Sequence, residues 1–508
     1  MRYVASREEM QNIDAYSINN VGIPGIVLME KAALALEEVF LERIPTDSRV
    51  LIVTEKGNNG GDGLALGRLL LEEGYTVDFY EIGVISHDSD SHQIQKHILE
   101  QMEADFLMKF PEEEYDVIVD AIFGVGLKRE VAGRHREVIE RLNQMEALKV
   151  AVDVPSGVDA STGQILGIAF EADMTITFGL PKVGLLLYPG ADVSGEVIVK
   201  EIGFPNKAVE EIAPKMVSFA IDDLELLPER KAWTNKGSYG KVLLIAGSKN
   251  MAGAAILSGT AAYKSGSGLV RIFSCEENRV ILQEKLPEAI LTTYDSEDKA
   301  WKLLPESLSW ASVIGIGPGI GQSDFAKKMV KQVLMLGKAP LVIDADGLNN
   351  LAVLLKENEE LKQLFHEYEG GMILTPHLKE MSRLTGEEIA EICSNLPKAA
   401  ASIADKGHVI VLKDARTIVS DGSVPSYINM SGNNGMATGG SGDVLTGIIC
   451  GFLAGGLDIL TAARLGVYCH GLAGDVAAKE KGYYSVLAGD LLNYLENILK
   501  RKHFPEEI

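Results

Sequence analysis

Cysteine is scarce in this chain of 508 residues. Cys275, Cys393, Cys450 and Cys469 lie far apart, with no CxxC pair and none before residue 275. That spacing excludes a zinc ribbon or a disulfide framework and points to reduced, buried thiols. Cys469-His470 places a thiol beside an imidazole, but adjacent helical residues point about 100° apart, so both read as core residues. Positive charge is also in deficit. A formal charge of −24 excludes an extended basic surface, and with it nucleic acid or an anionic membrane as partner. The N-terminus carries charges where a signal peptide needs an apolar core. The apolar run Val444 to Leu457 is too short and too glycine-rich to span a bilayer. A cytoplasmic protein is expected. Both standard nucleotide motifs, G-x-G-x-x-G and GxxxxGK[ST], are missing.

Hydrophobic content of 46% and charged content of 24% are those of an ordinary globular chain, long enough for about three domains or two large α/β units. The most constrained stretch is Asn433-Asn434-Gly435-Met436-Ala437-Thr438-Gly439-Gly440-Ser441-Gly442-Asp443. It holds four glycines and no lysine or arginine, and an apolar run follows at once. Glycines let backbone N–H groups approach an anion, and the apolar run reads as a buried helix whose N-terminus faces it. Asp443 then falls on the first turn, where a carboxylate beside phosphate is useful as a general base. The plainer reading is a glycine loop with an N-cap aspartate.

Ile13 to Glu38 reads as two helices broken near Gly22-Ile23-Pro24-Gly25, the second packing on a sheet or a partner chain. Ser48 to Thr54 is an apolar strand, followed by the glycine loop Gly57–Gly63 and a leucine-rich helix. This is the layout of a phosphate-binding crossover, and a hairpin at Asn59-Gly60 would need a second strand there. Further strands are predicted at Thr76–Ile82, Val117–Phe123, Val150–Val154, Met174–Phe178 and Val197–Ile202. Asn59, Asp62, Asp120, Asp153 and Ser156 all fall at strand ends, where open parallel sheets bind ligands, although each is also explicable as a cap or turn residue. Their oxygens suit a monovalent or small divalent cation. His87-Asp88-Ser89-Asp90-Ser91-His92 has a superficial metal-cluster look but reads as a solvated loop entering a helix; Glu112-Glu113-Glu114 reads as a solvated turn.

The strand pattern lapses between Phe204 and Pro228 and then restarts. Strands are expected at Gly240–Gly247, Val270–Ser274, Ser312–Gly317, Leu341–Asp346 and His408–Lys413, with a small-residue helix at Ala252–Ser265. Gly315–Gly321, Asp344–Asn349 and Thr375–Glu380 each follow a strand and so fall on the ligand edge. His377 is as readily structural as functional. Lys413-Asp414-Ala415-Arg416-Thr417 supplies cations for a polyphosphate.

These motifs carry a resemblance. The Gly57–Gly63 loop, Val119–Leu127 and Asp153-Val154-Pro155-Ser156-Gly157 resemble the NAD(P)HX epimerase domain. Gly315–Gly321, Asp344–Asn349, Thr375–Glu380 and Asn434–Asp443 resemble the ADP/ATP-dependent NAD(P)HX dehydratase of the ribokinase-like fold. The resemblance implies an α/β protein of two three-layer αβα domains. A Rossmann-like epimerase would occupy residues 1–215 and a ribokinase-like dehydratase residues 225–508. It further implies repair of hydrated NADH and NADPH, with ADP or ATP and Mg2+ used in the second half and K+ bound in the first. Asn58-Asn59-Gly60-Gly61-Asp62, Gly124-Val125-Gly126-Leu127-Lys128-Arg129-Glu130 and Asp153 would hold the hydrate, and Asn59, Asp120 and Ser156 the potassium ion. Gly319, His377 and Asp443 would face the hydrate in the second half. Lys413-Asp414-Ala415-Arg416-Thr417 and Asn434-Gly435-Met436-Ala437-Thr438-Gly439-Gly440-Ser441-Gly442 would hold the nucleotide. Asp443 and Asp153 are the catalytic candidates, and a homo-oligomer is expected. Asp414 departs from the glycine anticipated there and puts the local loop shape in question. Two rivals remain: a small-molecule kinase of the hydroxymethyl- or hydroxyethyl-thiazole type in the second half, and a non-catalytic binding or dimerisation module in the first.

Overall fold

The computed structural model describes residues 1–84, 89–405 and 407–500. Contacts divide the chain into two units: Tyr3–Met216, and Val217 onward together with Met1–Arg2. Both are α/β.

In the first unit, helices α1 (Arg7–Tyr16) and α2 (Gly25–Arg43) are separated by a wide helical turn that ends at Gly22. Strand β1 (Arg49–Thr54) then runs into α3 (Asn58–Glu72). Five more strands follow: β2 (Thr76–Glu81), β3 (Val117–Ala121), β4 (Leu148–Val152), β5 (Met174–Phe178) and β6 (Glu196–Lys200). All pair in parallel, in the order β2-β1-β3-β4-β5-β6. Side chains alternate across each strand, and both faces are covered. Val50 and Ile52 pack with Leu36, Phe40 and Leu66 of α2 and α3. Leu51 and Val53 pack on the other face with Ile139 and Leu142 of the helix Gly133–Gln144. Helix α2 thus covers this unit's own sheet.

One correction concerns residues 57–63. They are not an open loop, because the helix starts at Asn58 and Gly60, Gly61 and Gly63 are buried inside its first turns. A Cβ on Gly60 would sit 1.9 Å from the Glu55 carbonyl oxygen, and one on Gly63 would sit 2.4 Å from Ala121. These glycines permit close packing of helix on sheet. His87 and Asp88 of the histidine–aspartate run lie outside the described residues; Ser89 caps the helix Asp90–Gln101 and His92 is buried in it. Glu112, Glu113 and Glu114 are exposed.

The second unit holds a larger, mixed sheet. The strands that carry the site are β7 (Lys241–Ile245), β8 (Leu269–Cys275), β9 (Ile290–Tyr294), β10 (Val313–Ile316), β11 (Leu341–Ile343), β12 (Met372–Leu374), β13 (His408–Leu412), β14 (Ile418–Ser420) and β15 (Ser426–Ile428). They run in the order β15-β14-β13-β12-β11-β10-β7-β8-β9. Pairing is parallel from β13 to β9 and antiparallel where β13, β14 and β15 meet. Helix α4 (Ala252–Lys264) follows β7, α5 (Asp346–Glu357) follows β11, and α6 (Leu378–Thr385) follows β12. Helix α7 (Ser441–Ala454) is buried from Val444 to Ala454, and α8 (Ile459–Lys481) lies in the same apolar cluster. Such all-round burial explains why its sequence has no polar face.

Candidate functional sites at the strand ends

In the first unit the C-terminal ends of the strands open on a cavity of about 640 Å3, within the range that holds a small ligand. Asn58, Asn59, Asp62, Asp153 and the run Gly124 to Arg129 line it, as do Asp14, Lys56 and Lys182. Asp153 has φ +67°, a left-handed conformation that costs a non-glycine residue and recurs at functional sites. Its Oδ1 accepts from Lys182 Nζ at 2.6 Å and Thr177 Oγ1 at 3.1 Å, while Oδ2 faces the Val125 N–H at 3.4 Å. Lys182, 1% exposed, also donates to Thr177 Oγ1 and the Phe178 carbonyl. Burial, then the neighbouring Asp153 and Asp14 carboxylates, hold Asp62 well above the ordinary carboxylate range. Asp14 is raised by burial and by Asp153.

Beneath the cavity, fully buried Asp120 accepts from Ser156 Oγ and Ser156 N, each at 2.7 Å, and from Ile122 N at 3.1 Å. Burial pushes it up to about 6, and no lysine or arginine among the described residues pairs with it. Its partners are thus two backbone amides and one hydroxyl, none of which supplies a counter-charge. Asn59, with its amide turned to satisfy both ends, donates to the Val152 carbonyl at 3.1 Å and accepts from Gly124 N at 3.3 Å. It therefore borders this pair without bonding to it.

In the second unit Asp344, just after β11 and 1% exposed, is a hub. Its Oδ1 accepts from Lys413 Nζ at 2.7 Å and Thr375 Oγ1 at 2.6 Å, and Oδ2 accepts from Thr446 Oγ1 at 2.8 Å. One carboxylate thereby joins the ends of β11, β12 and β13 to helix α7. Although burial opposes ionisation, Lys413 and the hydroxyl donors hold Asp344 below its usual range. His377 bridges in parallel to Lys413 and caps α6, its Nδ1 accepting from Lys379 N at 3.1 Å and Glu380 N at 3.3 Å. Burial, then Lys413, keeps its ring below the ordinary histidine value. Burial also pushes Glu380 up to about 7 against the pull of Lys413.

Gly440 caps α7 in the left-handed conformation, φ +92°, and a Cβ there would lie 2.5 Å from Leu257 of α4. Gly319, φ +64°, meets the start of the same helix, where a Cβ would lie 3.0 Å from Ala254 and 3.1 Å from Met251. Asp443 stands on the first turn of α7, three residues after Gly440. It does not cap the helix, and none of the described residues donates a hydrogen bond to it. Burial, Asp344 and Asp346 push it up to about 7, partly offset by Lys413. At the far end of the segment, Asp475 of α8 accepts from Gly432 N and Asn433 Nδ2, both at 2.9 Å.

The family model described as NAD(P)H-hydrate dehydratase matches residues 242–497, and that described as YjeF-related protein N-terminus matches residues 25–184. A bifunctional NAD(P)H-hydrate repair enzyme of Moorella thermoacetica is 38% identical over 524 residues, covering 98% of this chain and 97% of its own. This chain belongs to that family. The Escherichia coli bifunctional NAD(P)H-hydrate repair enzyme is 34% identical, over 94% of this chain and 90% of its own. Among solved structures, a ribokinase-like superfamily protein of Enterococcus faecalis superposes with TM-score 0.50 at 31% identity, covering 56% of this chain and 96% of its own. An ADP/ATP-dependent NAD(P)H-hydrate dehydratase of Bacillus subtilis, co-crystallised with ATP and Mg2+, gives TM-score 0.49 at 32% identity, over 56% of this chain and 97% of its own.

Several residues of this NAD(P)H-hydrate repair family member fall elsewhere than the sequence pattern places them. Gly60 and Gly61 are packed inside α3, and Glu130 lies off the cavity lining. Lys413 is committed to Asp344, so it is not a loose cation awaiting phosphate. Arg416 Nη1 donates to the Met430 carbonyl at 3.2 Å, and Met436 Sδ would lie 2.1 Å from a Cβ on Gly474, so that methionine is an anchor in a small-residue notch. Asp414 is exposed and absent from the left-handed residues, so its position needs no glycine. Cys469 is buried and raised to about 12, and His470 Nε2 lies 3.0 Å from the Ser441 carbonyl, so the two form no nucleophile–base pair. Sequence reasoning passed over Lys182, Thr177, Asp14, Thr446 and Asp475. Of these only Asp475 leaves a trace, as an isolated acid in an apolar run.

Proposed function

We propose that the chain repairs hydrated nicotinamide cofactors. Its first half interconverts the R and S hydrates of NADH and NADPH. Its second half dehydrates the S form at the expense of ADP or ATP, giving AMP from ADP, and phosphate. One observation carries the reading: Asp443 accepts no hydrogen bond from any described residue, is raised to about 7, and stands at the helix terminus beside the bend at Gly440.

In the second half Asp443 takes the proton of the C6 hydroxyl as that oxygen attacks the terminal phosphoryl group. The bond to the nucleotide's bridging oxygen breaks, and AMP leaves. Amides of the Asn434–Gly442 segment stabilise charge on the moving group. The C6–O bond then breaks as the ring-nitrogen lone pair moves toward C6, phosphate departs, and loss of the C5 proton restores the double bond. Mg2+ arrives with the nucleotide phosphates and neutralises their charge. In the first half Asp153 receives the C6 hydroxyl proton while Asp62 supplies one to the ring nitrogen, so the C6–N bond opens. Rotation and reclosure return both protons and scramble C6. Asp120 and Ser156, with Asn59 at their border, would hold K+ as a counter-charge below the cavity. Gly319 and His377 would face the hydrate in the second half, and a homo-oligomer is the proposed assembly.

The test is to supply mixed R and S hydrates with ADP and Mg2+ and follow the absorbance of regenerated NADH. Complete conversion with free phosphate is the expected result. A stable phosphorylated product would instead make the second half a kinase, and conversion of the S share alone would leave the first half idle.

A further inference from the structure

At the start of β13, the edge of the sheet opposite Lys413, a second group of polar side chains has no part in this chemistry. His408 opens the strand, Asp405 precedes it by three residues, and His366 ends the helix Glu359–His366. His408 Nε2 lies 2.8 Å from the Phe365 carbonyl oxygen. That oxygen can only accept, so Nε2 carries the hydrogen. Nδ1 of the same ring faces Asp405 Oδ1, and His366 Nδ1 stands 3.3 Å from Asp405 Oδ2. The His408 side chain is 2% exposed, and its ring stacks on Phe365 at 4.8 Å between centroids and 18° between planes, so it cannot turn away.

Nδ1 of His408 therefore meets a carboxylate oxygen with its far nitrogen already committed, a pairing held by a positive centre between the two atoms, either a proton or a metal ion. A proton would serve two atoms. Here three donor atoms from three residues lie within 4.8 Å of one another, and the second imidazole meets the first edge-on, at 86°. An imidazole whose far N–H is fixed by a backbone carbonyl is the usual posture of a metal-ligating histidine.

We propose that His366 Nδ1, His408 Nδ1 and the Asp405 carboxylate bind a divalent cation of the zinc type, with water as fourth ligand. Two imidazoles and one carboxylate suit Zn2+ or Co2+ over Mg2+ or Ca2+, which take oxygen ligands. A four-coordinate ion holds donors about 3.4 Å apart, from bonds of about 2.0–2.2 Å, a spacing reached by small side-chain rotations. The ion would tie the end of one helix to the first residue of β13.

The experiment is to strip the full-length protein with chelator and titrate it with Co2+ alone. Expected are one tight equivalent with the intense visible bands of a four-coordinate ion, displacement by Zn2+, and a melting temperature raised by metal. His366→Ala and Asp405→Asn, both at solvent-facing positions, should each weaken binding at least tenfold while ADP-dependent dehydration stays at the wild-type rate. Absence of uptake, six-coordinate spectra, or an affinity that either variant leaves unchanged would each overturn the site.

Discussion

Asp443 is poised by its surroundings and not by a partner. Because its folded value is raised to about 7, the carboxylate gains its charge only as pH climbs through that region, and the base is lost below it. The acid limb of kcat/KM for dehydration should therefore rise through about pH 7, roughly tenfold per unit below it. Glu380 titrates in the same window, so Glu380→Gln is the control and should keep the limb. Asp443→Asn should lower dehydratase turnover about 10²–10⁴-fold with nucleotide still bound; near-normal turnover would remove the base from the mechanism. Asp344 makes a different claim. Lys413 keeps 21% of its side chain exposed and also lies near Glu380 and Asp443, so Asp344→Asn, which loses the charged hydrogen bond, should cost about 1.5–3 kcal/mol in urea denaturation.

At the scale of elements, the bend before α7 can be tested by geometry. Gly440→Val places a β-branched side chain at φ +92° and within 2.5 Å of Leu257. The KM for ADP should rise at least tenfold, about 1.4 kcal/mol, while epimerisation is unchanged. Elements of this kind were legible to different degrees. Met174–Phe178 is read to the residue and most of the other predicted strands to within one or two, because a strand covered on both faces is a bare apolar run. Leu341–Asp346, by contrast, runs three residues past the strand Leu341–Ile343, and Ile290–Tyr294 is not read at all. Strands of three residues, such as Ile418–Ser420 and Ser426–Ile428, leave too short a run to register. The first turns of α3 were hidden because glycine usually signals a loop, whereas here its missing side chain admits Glu55 and Ala121. Lys182 could not be found at all: its role depends on the fold bringing it to Asp153, 29 residues away in the chain.

For the molecule as a whole, each unit carries its own site residues, and this sets a test on the intact chain. Full-length Asp443→Asn should still equilibrate pure R hydrate at the wild-type rate, and full-length Asp153→Ala should still dehydrate pure S hydrate. Chiral chromatography of the two hydrates, beside NADH absorbance, reads both. If either variant silenced both reactions, the division of labour between the halves would be wrong.

The four-way tie at Asp344 bears on what moves during turnover. Thr446 roots helix α7 to the same carboxylate that Lys413 and Thr375 grip from the sheet, so any slide of that helix would have to break its bond to a group the sheet holds fixed. Asp443 is consequently bolted in place, and travel toward the transition state falls to the incoming molecules.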